Sequence, residues 1–386
     1  MQRALLIMHT VLVQALTFVM RPTATYQALD LDVPAAYLGV LGASFAVVPL
    51  LLAAPSGQLV DRLGERLMLI AGPVLLTVAA AGFVTLGDTV AGLIVATMLL
   101  GTGHLCAVVG QQALVANNTA AGRYDTAFGY YTFAASLGQA LGPGLIILFG
   151  GDRTVPDTRL IFIGALAVSV PLFAVSLFLR PSGQHGRQAG TQPGGFRDLL
   201  ARPGLVRALT VSCVVLAAVD ITLVYLPALG TERGIAAGTI GILLTLRAVA
   251  SMTSRLFLGR LAAAVGRRHL LVGTVTLSAA GLALMLAPMP LWLMAVLIVV
   301  TGLGLGAGQP LTMSFLAESA PPGLRGRAMS LRLTGNRLGQ VVIPSTAGLL
   351  AIGAGAAGVL ALTAAGLAGA AIAAGGLHPT ERNDHD

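Results

Sequence analysis

Five charged side chains stand inside runs otherwise built of Ala, Leu, Val, Gly and Ile: Arg21, Asp220, Arg247, Arg332 and Arg337. An arginine at the middle of a bilayer costs about 2.5–3.5 kcal/mol on insertion scales, so it is retained where it faces a wet cavity or a buried partner. A guanidinium is a planar donor fork of fixed charge, suited to carboxylates and phosphates. Four of them against one acid describe a site for an anion: a carboxylate, a phosphorylated metabolite or a weakly acidic drug. Asp220 is the only acid in the interior of any apolar run, which makes it the candidate for proton coupling. Arg247 lies near the middle of its run, and a structural pair with Asp220 is the bland alternative to a ligand role. Arg21 and Arg332 lie nearer the ends of theirs, where a long side chain can also snorkel to the interface.

Polar residues surround these charges at helical spacing. Thr10, Gln14, Thr17 and Arg21 form one stripe, and Arg332, Asn336 and Gln340 another. The candidate substrate contacts are therefore Arg21, Gln14, His104, Arg247, Gln309, Asn336 and Arg337. Gln111, Gln112 and Thr312 offer further donors, although packing roles are as expected for any single one. His9 and His104 stand alone, without metal-ligand spacing. The chain has no Walker loop, no HExxH and no CxxC, so an enzyme, a resident cofactor or a catalytic metal is not expected. Cys106 and Cys213 are isolated in apolar runs and should pack as small hydrophobes.

The elements that hold these residues are membrane spans. Of 386 residues, 56% are hydrophobic and only 10% charged, with a mean hydropathy of +0.86; an ordinary soluble domain carries roughly 25% charge. Apolar runs of about 20 residues, enough to cross a bilayer as a helix, recur throughout. Twelve spans are predicted, roughly at 5–29, 35–56, 67–86, 90–117, 126–149, 160–179, 204–229, 236–258, 269–287, 291–318, 328–351 and 355–377. They group as a bundle over 1–180, a Gly-, Pro- and Gln-rich basic linker over 181–203, a second bundle over 204–377 and a polar tail over 378–386. The run that follows Met1–Arg3 is too long for a cleavable signal core.

The net charge of +8 does not indicate nucleic acid, because the arginines cap apolar runs instead of forming a patch. The two termini and the segments between even and odd spans hold sixteen of them, Arg255 included, whereas the opposite segments hold only Arg153, Arg159 and Arg233. The positive-inside rule then places both termini in the cytoplasm. All 23 basic residues are arginine, which fits GC-rich coding and a bacterial inner membrane.

The two bundles are copies. GQLVDRLGERL at Gly57–Leu67 is an island of charge, and 202 residues on GRLAAAVGRRH repeats its glycines, Gly57 and Gly64 matching Gly259 and Gly266. At an offset of 201, Gly101, Gly103, Gly138, Gln139 and Pro143 match Gly302, Gly304, Gly339, Gln340 and Pro344. Six spans map onto six without inversion, a parallel repeat about an axis along the membrane normal.

With those residues in view, the whole chain resembles the major facilitator superfamily. Gly57, Asp61, Arg62, Gly64 and Arg66 match its signature between spans two and three, with Glu65 where a base is usual. GQALGPGL in span five, with Gly138, Gly142 and Pro143, is similar to the motif of its proton-driven exporters. The resemblance implies an all-α membrane fold of two six-helix bundles rocking around a midplane site, with spans three, six, nine and twelve outermost. It implies that these two motifs form the conformational switch, with Asp61 facing the start of span eleven near Arg327. Thr97 stands where such exporters usually carry an arginine, which weakens standard drug–proton exchange.

The function expected is a secondary active transporter, a monomer in the lipid bilayer, moving a small anion with protons and most readily by export. The competing expectations are a proton-coupled exporter of neutral or cationic lipophiles, and a membrane scaffold or receptor that transports nothing. The last would have no need of midplane charge.

Overall fold

Each apolar run folds as a helix, because in hydrocarbon a backbone N–H or C=O can be satisfied only within its own segment. The computed structural model describes residues 2–118, 124–180, 204–319 and 325–377, excluding the side chains of 53, 54, 56–63, 116, 124–129, 314, 316–319 and 325–330. Spans one to four are Gln2–Asp30, Ala35–Leu63, Glu65–Leu86 and Val90–Asn117. Span five is two helices, Tyr124–Leu141 and Gly144–Gly150, and span six is Thr158–Phe178. Spans seven to twelve are Leu205–Glu232, Ala237–Val265, Arg267–Leu284, Leu291–Ser319, Arg325–Leu350 and Gly355–Gly375. All twelve expected spans are present, most within a few residues of their predicted ends, but spans two and eight run seven residues further, to Leu63 and Val265. Ten are long and apolar enough to cross a membrane on composition alone. Spans nine and eleven fall outside that set, and span eleven is the one bearing Arg332, Asn336, Arg337 and Gln340.

The charged stretch after span two is not a loop. Span two stays helical through Leu63, Gly64 breaks it at φ 81°, and span three begins at Glu65. The second copy repeats this: helix to Val265, Gly266 at φ 84°, helix from Arg267. GQLVDRL suits a helix as well as any loop, so one residue in the left-handed region makes the whole turn, and only glycine adopts it without strain. Glu65 is buried and accepts a hydrogen bond from Asn117 at 3.4 Å, while Arg66 is exposed. The side chains of Asp61, Arg62 and Arg327, the linker 181–203 and the tail 378–386 lie outside what is described.

Large apolar side chains such as Leu148, Leu350 and Ile372 are more than 70% exposed, as lipid-facing residues must be. The interior is close-packed; Phe83 of span three stacks on Phe162 of span six at 4.8 Å. Arg207 and Arg268 both donate to carbonyls in the last turn of span twelve, Gly376 and Gly375, where a helix presents negative charge. Spans three, six and nine pack chiefly within their own halves, and the halves meet through spans one with seven, two with eleven and five with eight.

At the end of the bundle away from Gln2 these pairs close to backbone contact. The Ala237 N–H donates to the Arg153 carbonyl at 2.7 Å and Gly238 to Gly151 at 3.3 Å, joining span eight to the end of span five. Gly39 on span two faces the Pro344 carbonyl on span eleven, and Gly348 faces Ala36. Between these glycines lies the Tyr225 hydroxyl, 3.0 Å from where a Cβ on either would fall. This far end is sealed.

Candidate functional site

Asp220 sits at the centre of a network that crosses both halves. Arg21 Nη1 lies 2.6 Å from Asp220 Oδ1 in an ion pair with both side chains buried. Gln340 Nε2 donates to Asp220 Oδ2 at 2.5 Å, and Arg337 Nη1 donates to Gln340 Oε1 at 3.0 Å. Span one of the first half is thus tied to spans seven and eleven of the second. The alternative for Arg247, a structural pair with Asp220, is not the pairing found: Arg21 and Gln340 hold the carboxylate, and Arg247 meets Asp220 only as a nearby charge. Nor does Arg21 snorkel: it is 5% exposed.

Arg247 is 2% exposed, its Nε is buried without a hydrogen-bond partner, and it feels the charges of Asp220, Arg21 and Arg255. Arg21 Nη2 is likewise buried and unpartnered. The Arg21 guanidinium lies 4.4 Å from the centre of the Phe45 ring, a cation–π contact with a residue the sequence did not single out. The same ring meets His104 at 5.5 Å. Gln14 Nε2 contacts His104 Nε2 at 3.3 Å while its Oε1 accepts from Gln139 at 3.4 Å. The Gln14 amide is the donor to His104, so the ring hydrogen is on Nδ1, which is buried and has no acceptor. Free donors on Arg21 and Arg247 therefore lie beside the acid, and a third, on His104, lies against the Phe45 ring that Arg21 also meets.

Other candidates are engaged elsewhere. Gln309 accepts from Arg332 at 2.9 Å and donates to the Ser212 carbonyl at 2.8 Å. Asn336 accepts from the Ser212 hydroxyl at 3.0 Å, a bond between helices. Arg332 is 7% exposed and held by Gln309, so it too does not snorkel. Gly138 and Gly142 seat span five on span one: a Cβ on either would lie within 2.8 Å of its side chains or carbonyls. Pro143 starts the second helix of span five. Thr97 is buried and donates to its own helix at Leu93, adding no charge.

Two further side chains repair helices that proline interrupts. Pro73 has no N–H for the Leu69 carbonyl, and His9 donates to that carbonyl at 3.3 Å while Gln111 donates to its Nδ1 at 2.8 Å. Pro310 likewise frees the Gly306 carbonyl, and Arg255 Nε donates to it at 3.2 Å. Arg255, expected in a cytoplasmic segment, instead points inward from span eight.

Comparison with known proteins agrees with this architecture. The chain is 27% identical over 175 residues to multidrug resistance protein 1 of Bacillus subtilis (strain 168), covering 45% of this chain and 44% of that one. It is 26% identical over 163 residues to the quinolone resistance protein NorA of Staphylococcus aureus (strain Mu50 / ATCC 700699), covering 42% and 41%. These matches span less than half the length of either relative. A crystal structure of the nucleoside transporter NupG superposes with a TM-score of 0.78 at 14% identity, covering 96% of this chain and 98% of that one. The sequence profile of the Major Facilitator Superfamily matches residues 6–235 and 208–385. The chain is a multi-pass helical membrane protein that belongs to the Major Facilitator Superfamily.

Proposed function

We propose that this transporter moves a small organic anion through a site between its halves by alternating access, coupled to protons. The observation that carries the reading is the pair of free guanidinium donors on Arg21 and Arg247 beside a single carboxylate, with a further free donor on His104 across the Phe45 ring. Asp220 answers one positive charge, and the remaining guanidinium groups call for a ligand carboxylate or phosphate. Asp220 is the proton-coupling residue in this reading. The arginine asymmetry supports cytoplasmic termini in a bacterial inner membrane, and the sealed far end then faces outward. Export is favoured by Gly138, Gly142 and Pro143 in span five. Gly57, Asp61, Arg62, Gly64 and Arg66 complete the conformational switch, and the fold needs no second copy.

A second reading, an exporter of neutral or cationic lipophiles, is favoured by the relatives named for drug resistance. Proteoliposomes loaded with radiolabelled carboxylates, phosphate esters or lipophilic cations separate the two. The anion reading expects counterflow and proton movement with a member of the first two classes. Counterflow confined to the cations overturns it.

A further inference from the structure

The Pro310 break in span ten is bridged by a side chain that also reaches the other half. Arg255 Nε donates to the freed Gly306 carbonyl, and its Nη1 donates to Ser136 Oγ on span five at 2.8 Å. Spans eight and ten are otherwise locked together. A Cβ on Gly302 or Gly306 would fall within 2.6 Å of the Arg247 or Ser251 backbone, and Ser251 donates to the Gly302 carbonyl at 2.8 Å. The Gly306 bond thus lies inside a unit that moves as one. Ser136 does not belong to that unit; it rides on span five, two residues before Gly138, which seats that span on span one. A rigid planar fork holding one acceptor in each half must lose its bond to Ser136 when the halves part at this depth. Gln309, which holds Arg332, is adjacent to the proline whose freed carbonyl the same fork holds.

We propose that Arg255 is a positioning residue: through Ser136 it latches the two halves together, and through Gly306 it ties that latch to the kink of span ten. Contact with span five then holds the segment bearing Gln309, and release of Ser136 frees that segment along with the halves. A mere repair of the proline break would need only the Gly306 bond.

The inference rests on the halves rocking as the transporter reading requires. Its readout is a distance and needs no substrate, so a wrong substrate class leaves it standing. The full chain, carrying Cys106→Ala and Cys213→Ala, is spin-labelled at Tyr130→Cys on span five and Leu261→Cys on span eight, both exposed. Pulsed electron paramagnetic resonance in lipid nanodiscs reads the short- and long-distance populations. Ser136→Ala is expected to raise the long-to-short ratio roughly tenfold, the low end for one hydrogen bond to a charged group. Ser136→Thr, which keeps the hydroxyl, should restore the parent ratio.

A second arm isolates the repair role. Pro310→Ala returns an N–H to the Gly306 carbonyl, so Arg255→Gln placed in that background should keep the parent unfolding midpoint. Its distance ratio should nevertheless remain shifted. A ratio within twofold of the parent for Ser136→Ala, or for Arg255→Gln with Pro310→Ala, overturns the latch and leaves Arg255 as a helix repair.

Discussion

Asp220 and Arg21 show how much a buried charge depends on its partner. Removing one member leaves the other desolvated and unanswered, at a cost of about 3–5 kcal/mol, whereas replacing both with apolar groups is often neutral. Asp220→Ala should therefore lower the unfolding midpoint sharply, and Asp220→Leu combined with Arg21→Leu should recover most of the loss. A single variant as stable as the double would show that the pair does not carry charge through the fold. Arg247 differs, because nothing in the described structure fills its Nε. Arg247→Gln should weaken binding of an anionic substrate by about 1.5–3 kcal/mol, with Lys restoring only part, as read by calorimetry. The sequence could nominate both arginines and the acid, since charge in an apolar run is visible by composition. It could not say which arginine the acid would choose, because that depends on how spans one and seven face each other. Phe45 carried no such mark: a Phe in an apolar run is unremarkable until a guanidinium lies over it.

Helices that cross one another closely do so at glycine, and here the far-end seal depends on it. A methyl group at Gly39 would meet the Pro344 carbonyl and carbon and the Tyr225 hydroxyl, with no flexible chain end to yield. Overpacking of this kind costs about 1–3 kcal/mol. Gly39→Ala should depopulate the closed far end by roughly 5- to 150-fold. In a variant carrying Tyr225→Cys, buried in this state, thiol labelling from the far side should then accelerate accordingly. Unchanged labelling would mean that the seal lies elsewhere. The span boundaries were legible because hydropathy alone fixes them, and the repeat was legible because Gly and Pro recur in register. The turn at Gly64 was read too wide. Hydropathy marks where charge begins, not where a helix ends, and a charged helix end looks like a loop. The roles of His9 and Arg255 were hidden for a related reason. Each donor answers a carbonyl on another helix, four residues before a proline, and only packing brings the two together.

Proton coupling belongs to the molecule as a whole, because Asp220 holds the two halves through a single carboxylate. In this closed arrangement it occupies Arg21, the cation an anionic substrate would need. Substrate and carboxylate thus compete for one guanidinium, and a proton on Asp220 decides in favour of the substrate. Under that logic the proton and the anion occupy the site together, and a pH step drives accumulation of the anion on the side to which protons run. The export favoured by the span-five motif instead needs exchange, with Asp220 protonated only after the anion has left, and the side on which the anion accumulates after the pH step decides between the two orders. Asp220→Asn mimics the protonated state permanently. Its amide still accepts from Gln340, and Arg21 is left for the substrate in both orientations of the halves. The variant should keep downhill exchange of substrate for substrate in proteoliposomes, while losing at least tenfold in accumulation after a pH step. Each tenfold corresponds to about 1.4 kcal/mol of coupling free energy. Asp61→Asn should do the opposite, slowing turnover without weakening binding, since the superfamily signature concerns the switch and not the ligand. If Asp220→Asn still accumulated substrate in response to the pH step, the proton would have to be carried elsewhere. His104 would then be the first place to look, because its unprotonated Nε2 already lies within the network at 3.3 Å from Gln14.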